Sequence, residues 1–339
     1  MEASREKILS FGSLEIGYAE GKQKNRILPP LTGALSEGEL VAVVGRNGAG
    51  KSTLLRTLAG LQPLLGGNLL ILGRDISEYS RLKLSSTIGY ISTEIVKVSN
   101  MKVYDLVALG RFPHTGWLGR IGDADNEAIM SALERTGITA FRDKQVTGIS
   151  DGERQRAMIA IVLAQDASVM VMDEPTAFLD IGNRYEIINL MHELTRLRNK
   201  SIIFSTHDLN IALNQADKIW LLREDDLIEG APEDIMISGA FRSLFDSSRI
   251  EFNPHDGTFA LRGEESGTAI VEGEGEKKYW TERAVKRAGF RITASDPDIR
   301  IISPEEPGGQ WKCYHRGSSG MFSSVYELVG WIRSRLTSS

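Results

Sequence analysis

Between about residues 8 and 231, short apolar runs alternate with longer segments of helical period, the pattern of a wound α/β domain. The runs VAVV (41–44), IGYI (88–91), VMVM (169–172) and IIF (202–204) are continuous rather than alternating. Strands covered on both faces of a parallel sheet have that texture, because neither side meets water. Helices are expected over 51–61, 125–135, 152–164 and 185–197. At RGEESG (262–267) the chain turns polar and glycine-bearing, which reads as a linker. The expected organisation is a domain at 1–262, a linker at 263–268 and a small α+β module at 269–339. In that module Trp280, Ala284, Val285 and Ala288 share one face of a helix expected over 277–288, with Gly289 as its stop. Short strands are expected over 291–293, 299–302 and 311–314. Val325, Leu328, Val329, Ile332 and Leu336 stripe a last helix opened by a Ser324/Glu327 capping box. Trp280, Phe290, Trp311, Tyr314, Tyr326 and Trp331 are expected to give the module an aromatic core.

Composition narrows the function classes. Hydrophobic residues make up 41% of the 339 and charged residues 25%, the proportions of a soluble globular protein. Forty Lys and Arg against 45 Asp and Glu leave a net charge of -5. That balance argues against a nucleic-acid binder or a polybasic membrane-surface protein. Cys313 is the single cysteine, which excludes an intrachain disulfide and a Cys-based zinc site. No apolar run reaches the ~18 residues of a membrane-spanning helix. The longest, 158–172, is broken by Gln165 and Asp166, and MEASREKILS lacks the apolar centre of a signal peptide. A cytosolic chain, or one attached to a membrane through partners alone, is expected.

The chemistry concentrates in three motifs. GRNGAGKST follows the strand-like ELVAVV and opens the helix-like STLLRTLAG, so it satisfies G-x-x-x-x-G-K-[ST] in the strand–loop–helix setting that gives the pattern meaning. Gly45, Gly48 and Gly50 let the N–H groups of a loop containing Arg46, Asn47 and Ala49 turn toward one anion, and the helix adds its positive dipole end. Lys51 can reach the β- and γ-phosphates, the Ser52 hydroxyl can take one Mg²⁺ position, and Thr53 completes the motif. SVMVMDEPT ends a buried strand in two carboxylates that point to opposite sides. This suits Asp173 on the Mg²⁺ shell and Glu174 polarising the attacking water. An acidic pair at a strand end is more often a cap or a solvated turn; a P-loop in the same chain favours the catalytic role. In ISDGERQR, Ser150 or Asp151 can cap a helix whose first turn holds Gly152 and Glu153. Its N–H groups suit a phosphate, and a plain capping box is the alternative.

With these motifs in this order and spacing, residues 8–260 resemble the ATP-binding subunits of ABC transporters, whose signature LSGGQ appears here as ISDGE. The resemblance implies a P-loop NTPase cassette, with a RecA-like parallel-sheet core, a β subdomain and a helical signature subdomain, followed by the small α+β module. It implies ATP and Mg²⁺ as cofactors. It also implies that Tyr18 stacks on adenine, a core tyrosine being the alternative, and that His207 of FSTHD contacts the γ-phosphate. Asp180 of AFLD matches the loop that crosses to a partner subunit. Cassettes of this family pair head to tail. A homodimer is therefore implied, with ATP between one chain's P-loop and the 150–153 segment of the other.

Two positions depart from the family pattern. Thr93, with Glu94 beside it, stands where a glutamine usually contacts the metal and the water, and Ile161 stands where an arginine usually follows the signature. GRFPHTGWLG, within 101–120, resembles the GRxPH stretch of cassettes from importers of ferric siderophores, haem and cobalamin. That resemblance implies that 101–120 meets two transmembrane permease subunits, that a substrate-binding protein acts beyond them, and that the chain lies peripherally on the cytoplasmic face of the inner membrane. Arg111, Phe112, His114 and Trp117 are the expected contact residues. Packing of Phe112 and Trp117 on their own subdomain is the alternative. A soluble ABC ATPase not coupled to transport, or an importer of another substrate such as a metal ion, would share the phosphate machinery.

Overall fold

The computed structural model describes residues 6–20, 23–92, 100–115, 120–198, 200–244, 250–253, 258–261, 266–306 and 308–336. They form two compact units, Met1–Ser247 with Phe252–Thr258, and Ser248–Glu251 with Phe259–Ser339.

A six-stranded sheet organises the first unit, in the order Leu227–Gly230, Lys218–Leu222, Leu40–Gly45, Ser201–Ser205, Val169–Met172, Ile88–Ile91. Only the edge strand Leu227–Gly230 runs antiparallel to its neighbour. The continuous apolar runs have the cause inferred from sequence: their residues alternate between two cores. Ala42, Val44, Met170, Met172, Ile202 and Phe204 enter one cluster. Val41, Val43, Val169, Val171 and Ile203 enter the other. The second cluster is shared with an antiparallel sheet of Leu31–Ser36, Lys7–Glu15, Gly66–Ile71 and Arg74–Asp75. Phe11 and Trp220 join the two sheets edge to face, their ring centroids 5.3 Å apart, a pairing that adds about 0.5–1.5 kcal/mol beyond burial.

On the other face, Val103–Ala108, Asp123–Arg135 and Asp151–Ala164 form a helical layer on the first cluster. A Cβ at Gly110 would lie 2.1 Å from the Ile161 carbonyl oxygen, so glycine is what lets this turn approach the signature helix. Ile161, where the family has an arginine, is partly buried against that cluster.

The second unit carries a five-stranded sheet, in the order Phe290–Ile292, Gly267–Glu272, Ile299–Ile302, Trp311–His315, Ser318–Phe322, and the helices Gly275–Arg287 and Val325–Leu336. Of the expected linker, 263–265 lie outside the described residues, and Gly267 and Thr268 already belong to a strand. Pairing of GTAIVE on both sides carries it into the sheet despite the polar stretch before it. The expected aromatic core gives way to a smaller one of Ala269, Val271, Val285, Phe290, Ile299, Ile301, Cys313, Leu328 and Ile332, with Trp311 and Trp331 at its margin. Trp280, Tyr314 and Tyr326 are exposed, Tyr326 by 90%. Ala284, Val285 and Ala288 face the core as expected, and the helical stripe differs at its first position. Thr281 is buried in place of Trp280, and its hydroxyl donates to Lys277 O at 2.6 Å while accepting from Trp311 Nε1 at 2.9 Å. At the last helix, Glu327 N–H donates to the Ser324 hydroxyl at 3.2 Å, but the Glu327 carboxylate accepts from Ser323 N–H, one residue outside the expected box.

Candidate active site

The strand Leu40–Gly45 ends in the glycine loop, and the helix Lys51–Leu58 leaves it. Gly48 (φ 79°) and Gly50 (φ 93°) take left-handed conformations that glycine alone adopts freely. Gly50 is the N-cap and no side chain caps the first turn, which leaves the helix's first N–H groups without a side-chain partner. Lys51 is buried, and its ammonium donates to the carbonyls of Gly45 (2.9 Å) and Arg46 (3.1 Å). Burial pushes its pKa below the ordinary lysine value, against the opposing pull of Glu174 and then Asp173. Arg46, Asn47 and Gly48 are exposed at the loop tip, whereas Ala49 and Ser52 are half-buried and Thr53 is buried. The Tyr18 hydroxyl lies 3.4 Å from Thr53 Oγ1 and the residue is 54% exposed, which removes the core-tyrosine alternative.

Two strands away, Val169–Met172 delivers the carboxylates. Asp173 is 3% exposed; its Oδ1 accepts from the Ser205 hydroxyl at 2.7 Å, and its Oδ2 faces the Tyr90 hydroxyl at 3.5 Å. Glu174 turns the chain sharply, with φ 50°. Its N–H donates to Ser205 Oγ at 2.9 Å, and its Oε1 lies 2.6 Å from His207 Nε2. Lys51, Asp173, Glu174 and His207 thus form one polar cluster at the carboxyl ends of the parallel strands, where wound sheets present their ligand sites.

The signature residues form a second group. Ser150 caps Asp151–Ala164 with a reciprocal box: Glu153 N–H donates to Ser150 Oγ at 3.3 Å, and Ser150 N–H to Glu153 Oε2 at 2.7 Å. Asp151 pairs with Arg154 at 2.5 Å. A Cβ at Gly152 would approach Asn183 Oδ1 to 2.8 Å, and Asn183 in turn donates through N–H and Nδ2 to the Asp180 carboxylate at 2.8 and 3.0 Å. Gly152 and Asp180 therefore meet through Asn183. Arg184 ties this group to the FSTHD segment that carries His207, donating from Nε to Leu179 O at 2.8 Å and pairing with Asp208 at 3.5 Å.

Thr93, Glu94 and Trp117 lie outside the described residues. Arg111 is not the surface residue expected. It is 12% exposed and spans the helical layer, donating to Asp125 Oδ1 at 2.9 Å and Ala164 O at 2.7 Å. The Arg111 guanidinium holds the Asp125 carboxyl below its ordinary range, helped by the Gly122 N–H. His114 Nε2 lies 2.8 Å from Gln165 O. Phe112 is left 74% exposed, not packed on its own subdomain. Sequence reasoning missed Ser205, Asn183 and Arg184. The signal for Ser205 was a hydroxyl at the end of the apolar run SIIFS, two residues before His207.

Residues 28–177 match the ABC transporter family. The ferric enterobactin transport ATP-binding protein FepC of Escherichia coli is 36% identical over 68% of this chain and 84% of its own length. The chain belongs to the ABC transporter ATP-binding proteins. It is an ATPase cassette that binds ATP, and cassettes of this kind serve importers as partners of a membrane permease. The petrobactin import ATP-binding protein FpuD of Bacillus anthracis is 32% identical over 71% of this chain and 87% of its own length. A solved structure of cbiO1 from Clostridium perfringens, part of the transporter complex cbiONQ, superposes with a TM-score of 0.59 at 28% identity, over 71% of this chain and 95% of that one. Residues 266–333 match the Iron ABC transporter C-terminal domain, which gives a family to the module that follows the cassette. Among the described residues, no helix is long and apolar enough to cross a membrane.

Proposed function

We propose that this chain is the ATP-hydrolysing subunit of an importer of iron chelates or cobalamin, working as a homodimer under two permease subunits at the cytoplasmic face of the inner membrane. The observation that carries the catalytic reading is the Glu174 carboxylate 2.6 Å from His207, with Lys51 and Asp173 in the same cluster. Glu174 is the general base that polarises the attacking water, and His207 fixes the direction of its carboxylate and contacts the γ-phosphate. The buried Lys51 ammonium exchanges its two carbonyl partners for phosphate oxygens, while the loop 45–53 supplies N–H donors. Tyr18, standing exposed above Thr53, offers its ring to adenine.

Asp173 and Ser52 fit Mg²⁺, since a carboxylate and a hydroxyl are hard oxygen donors. Ser205 occupies Asp173 Oδ1, and Oδ2 meets a distant Tyr90 hydroxyl at 3.5 Å. When bound, the ion neutralises charge on the β- and γ-phosphates. Thr93 is assigned to the same shell on the family resemblance alone.

The second copy contributes Ser150, Asp151, Gly152 and Glu153 to the γ-phosphate, with Asp180 in the loop that crosses between copies. The long 3.3 Å bond from Glu153 N–H to Ser150 Oγ is weak enough to yield to a phosphate. Phe112, exposed in the 101–120 segment, is the apolar anchor for the permease. The substrate class rests on the C-terminal domain family and on relatives named for siderophore and cobalamin import. The test is reconstitution of the full chain with its permease and binding protein in vesicles. ATP-dependent uptake of a radioiron-labelled chelate or of cobalamin is expected. ATP hydrolysis without uptake of either would overturn the substrate assignment.

A further inference from the structure

We infer that Ser205 is a positioning residue for ATP hydrolysis, setting the aim of both carboxylates at the end of the neighbouring strand. Its side chain is fully buried at the end of Ser201–Ser205, the strand between the P-loop strand and the strand that leads to Asp173. The register pairs Ser205 with Val43 on one side and Phe204 with Met172 on the other, so Ser205 stands level with the turn that follows Met172. A serine hydroxyl has one hydrogen to give. Ser205 spends it on Asp173 Oδ1 at 2.7 Å and accepts the Glu174 N–H at 2.9 Å, closing a chain in which each bond polarises the next.

The two bonds do different things. The first fixes the Asp173 carboxylate so that Oδ2 remains available to an incoming ligand. The second holds the peptide before Glu174 where that residue takes φ 50°, a conformation that non-glycine residues avoid. That turn is what brings Glu174 Oε1 to 2.6 Å from His207. Ser205 is fully buried and acts through these two neighbours.

The inference rests on Asp173 and Glu174 having the roles proposed above, and the test separates the two. Full-length Ser205→Ala is titrated with a fluorescent ATP analogue, once in EDTA and once across a Mg²⁺ series, and its ATPase rate is measured. Outer partners of metal-binding groups typically carry about 10–100-fold in metal affinity or activity. Metal-free nucleotide affinity should match wild type, the Mg²⁺ concentration for half-maximal binding should rise by about tenfold or more, and kcat should fall by a similar factor. Ser205→Thr and Ser205→Val are nearly the same shape and differ in the hydroxyl, so they carry the test if the alanine variant does not fold. Thr should restore the Mg²⁺ response and Val should not. Equal Mg²⁺ responses in Thr and Val, or an equal loss of metal-free binding in all three variants, would overturn the positioning role. Wild-type protein without ATPase activity would instead strike the catalytic reading itself.

Discussion

Replacing Glu174 with glutamine removes one charge and almost nothing else. The side chain keeps its length and its Cβ, so the φ of 50° is no more strained than before. At 29% exposure the swap strands no buried group in a dry interior. What disappears is a carboxylate able to take a proton. A general base is worth about 10²–10⁴ in rate, or about 2.7–5.5 kcal/mol of barrier at 1.36 kcal/mol per decade. Single-turnover hydrolysis should fall by that factor, while ATP affinity stays within a few-fold of wild type because Lys51 and the glycine loop are untouched. His207→Ala should lower turnover too, and the double variant should cost less than the two single losses combined, since the 2.6 Å contact makes them one unit. Glu174→Gly separates strain from chemistry. It should relieve about 1–2 kcal/mol of left-handed backbone cost and raise the melting temperature, while turnover falls at least as far as in Glu174→Gln. Wild-type turnover in Glu174→Gln would refute the assignment of the base.

Two further outcomes test the packing. Phe290→Ala should destabilise the C-terminal module by about 3–5 kcal/mol, and Tyr326→Ala should stay within about 0.5 kcal/mol of wild type, both read by thermal unfolding; a loss at Tyr326 as large as that at Phe290 would restore the aromatic core expected from sequence. Arg111→Ala should lower the melting temperature of the cassette at neutral pH. The Asp125 carboxyl is held below its ordinary pKa, so the stability it gains from Arg111 is full above the unfolded value of about 3.9 and fades as pH falls through the lower folded value. The gap between wild type and variant should therefore narrow below about pH 4, leaving the part due to the Ala164 carbonyl. A gap that widens in acid would contradict the ion pair.

The parallel strands were legible because burial on both faces leaves an unbroken apolar run, and 88–91 and 169–172 match the observed strands to the residue. The phosphate and carboxylate motifs were legible for another reason: their chemistry demands fixed residue types at fixed spacing. What escaped depended on partners far along the chain. Arg111 looked like a loop residue because its neighbours are Gly, Phe and Pro, yet its partner Ala164 lies 53 positions on. Trp280 looked like core because apolar size dominated the helical stripe, whereas a threonine that satisfies both Trp311 and its own helix took the inward position. Ser205 carries no motif; only the register of three strands brings it to both carboxylates.

The central claim is that ATP is hydrolysed between two copies of this chain, one giving Lys51 and Glu174, the other giving Ser150. Lys51→Ala removes the phosphate ligand from its own copy, and Ser150→Phe blocks the partner's site at a cost of about 1 kcal/mol in lost helix capping. Each variant alone should be inactive with the permease. Mixed in equal amounts, half the symmetric pairs become heterodimers with one intact composite site, and about a quarter of the wild-type rate should return. No recovery in a mixture whose heterodimers are verified by differential tags would contradict the account.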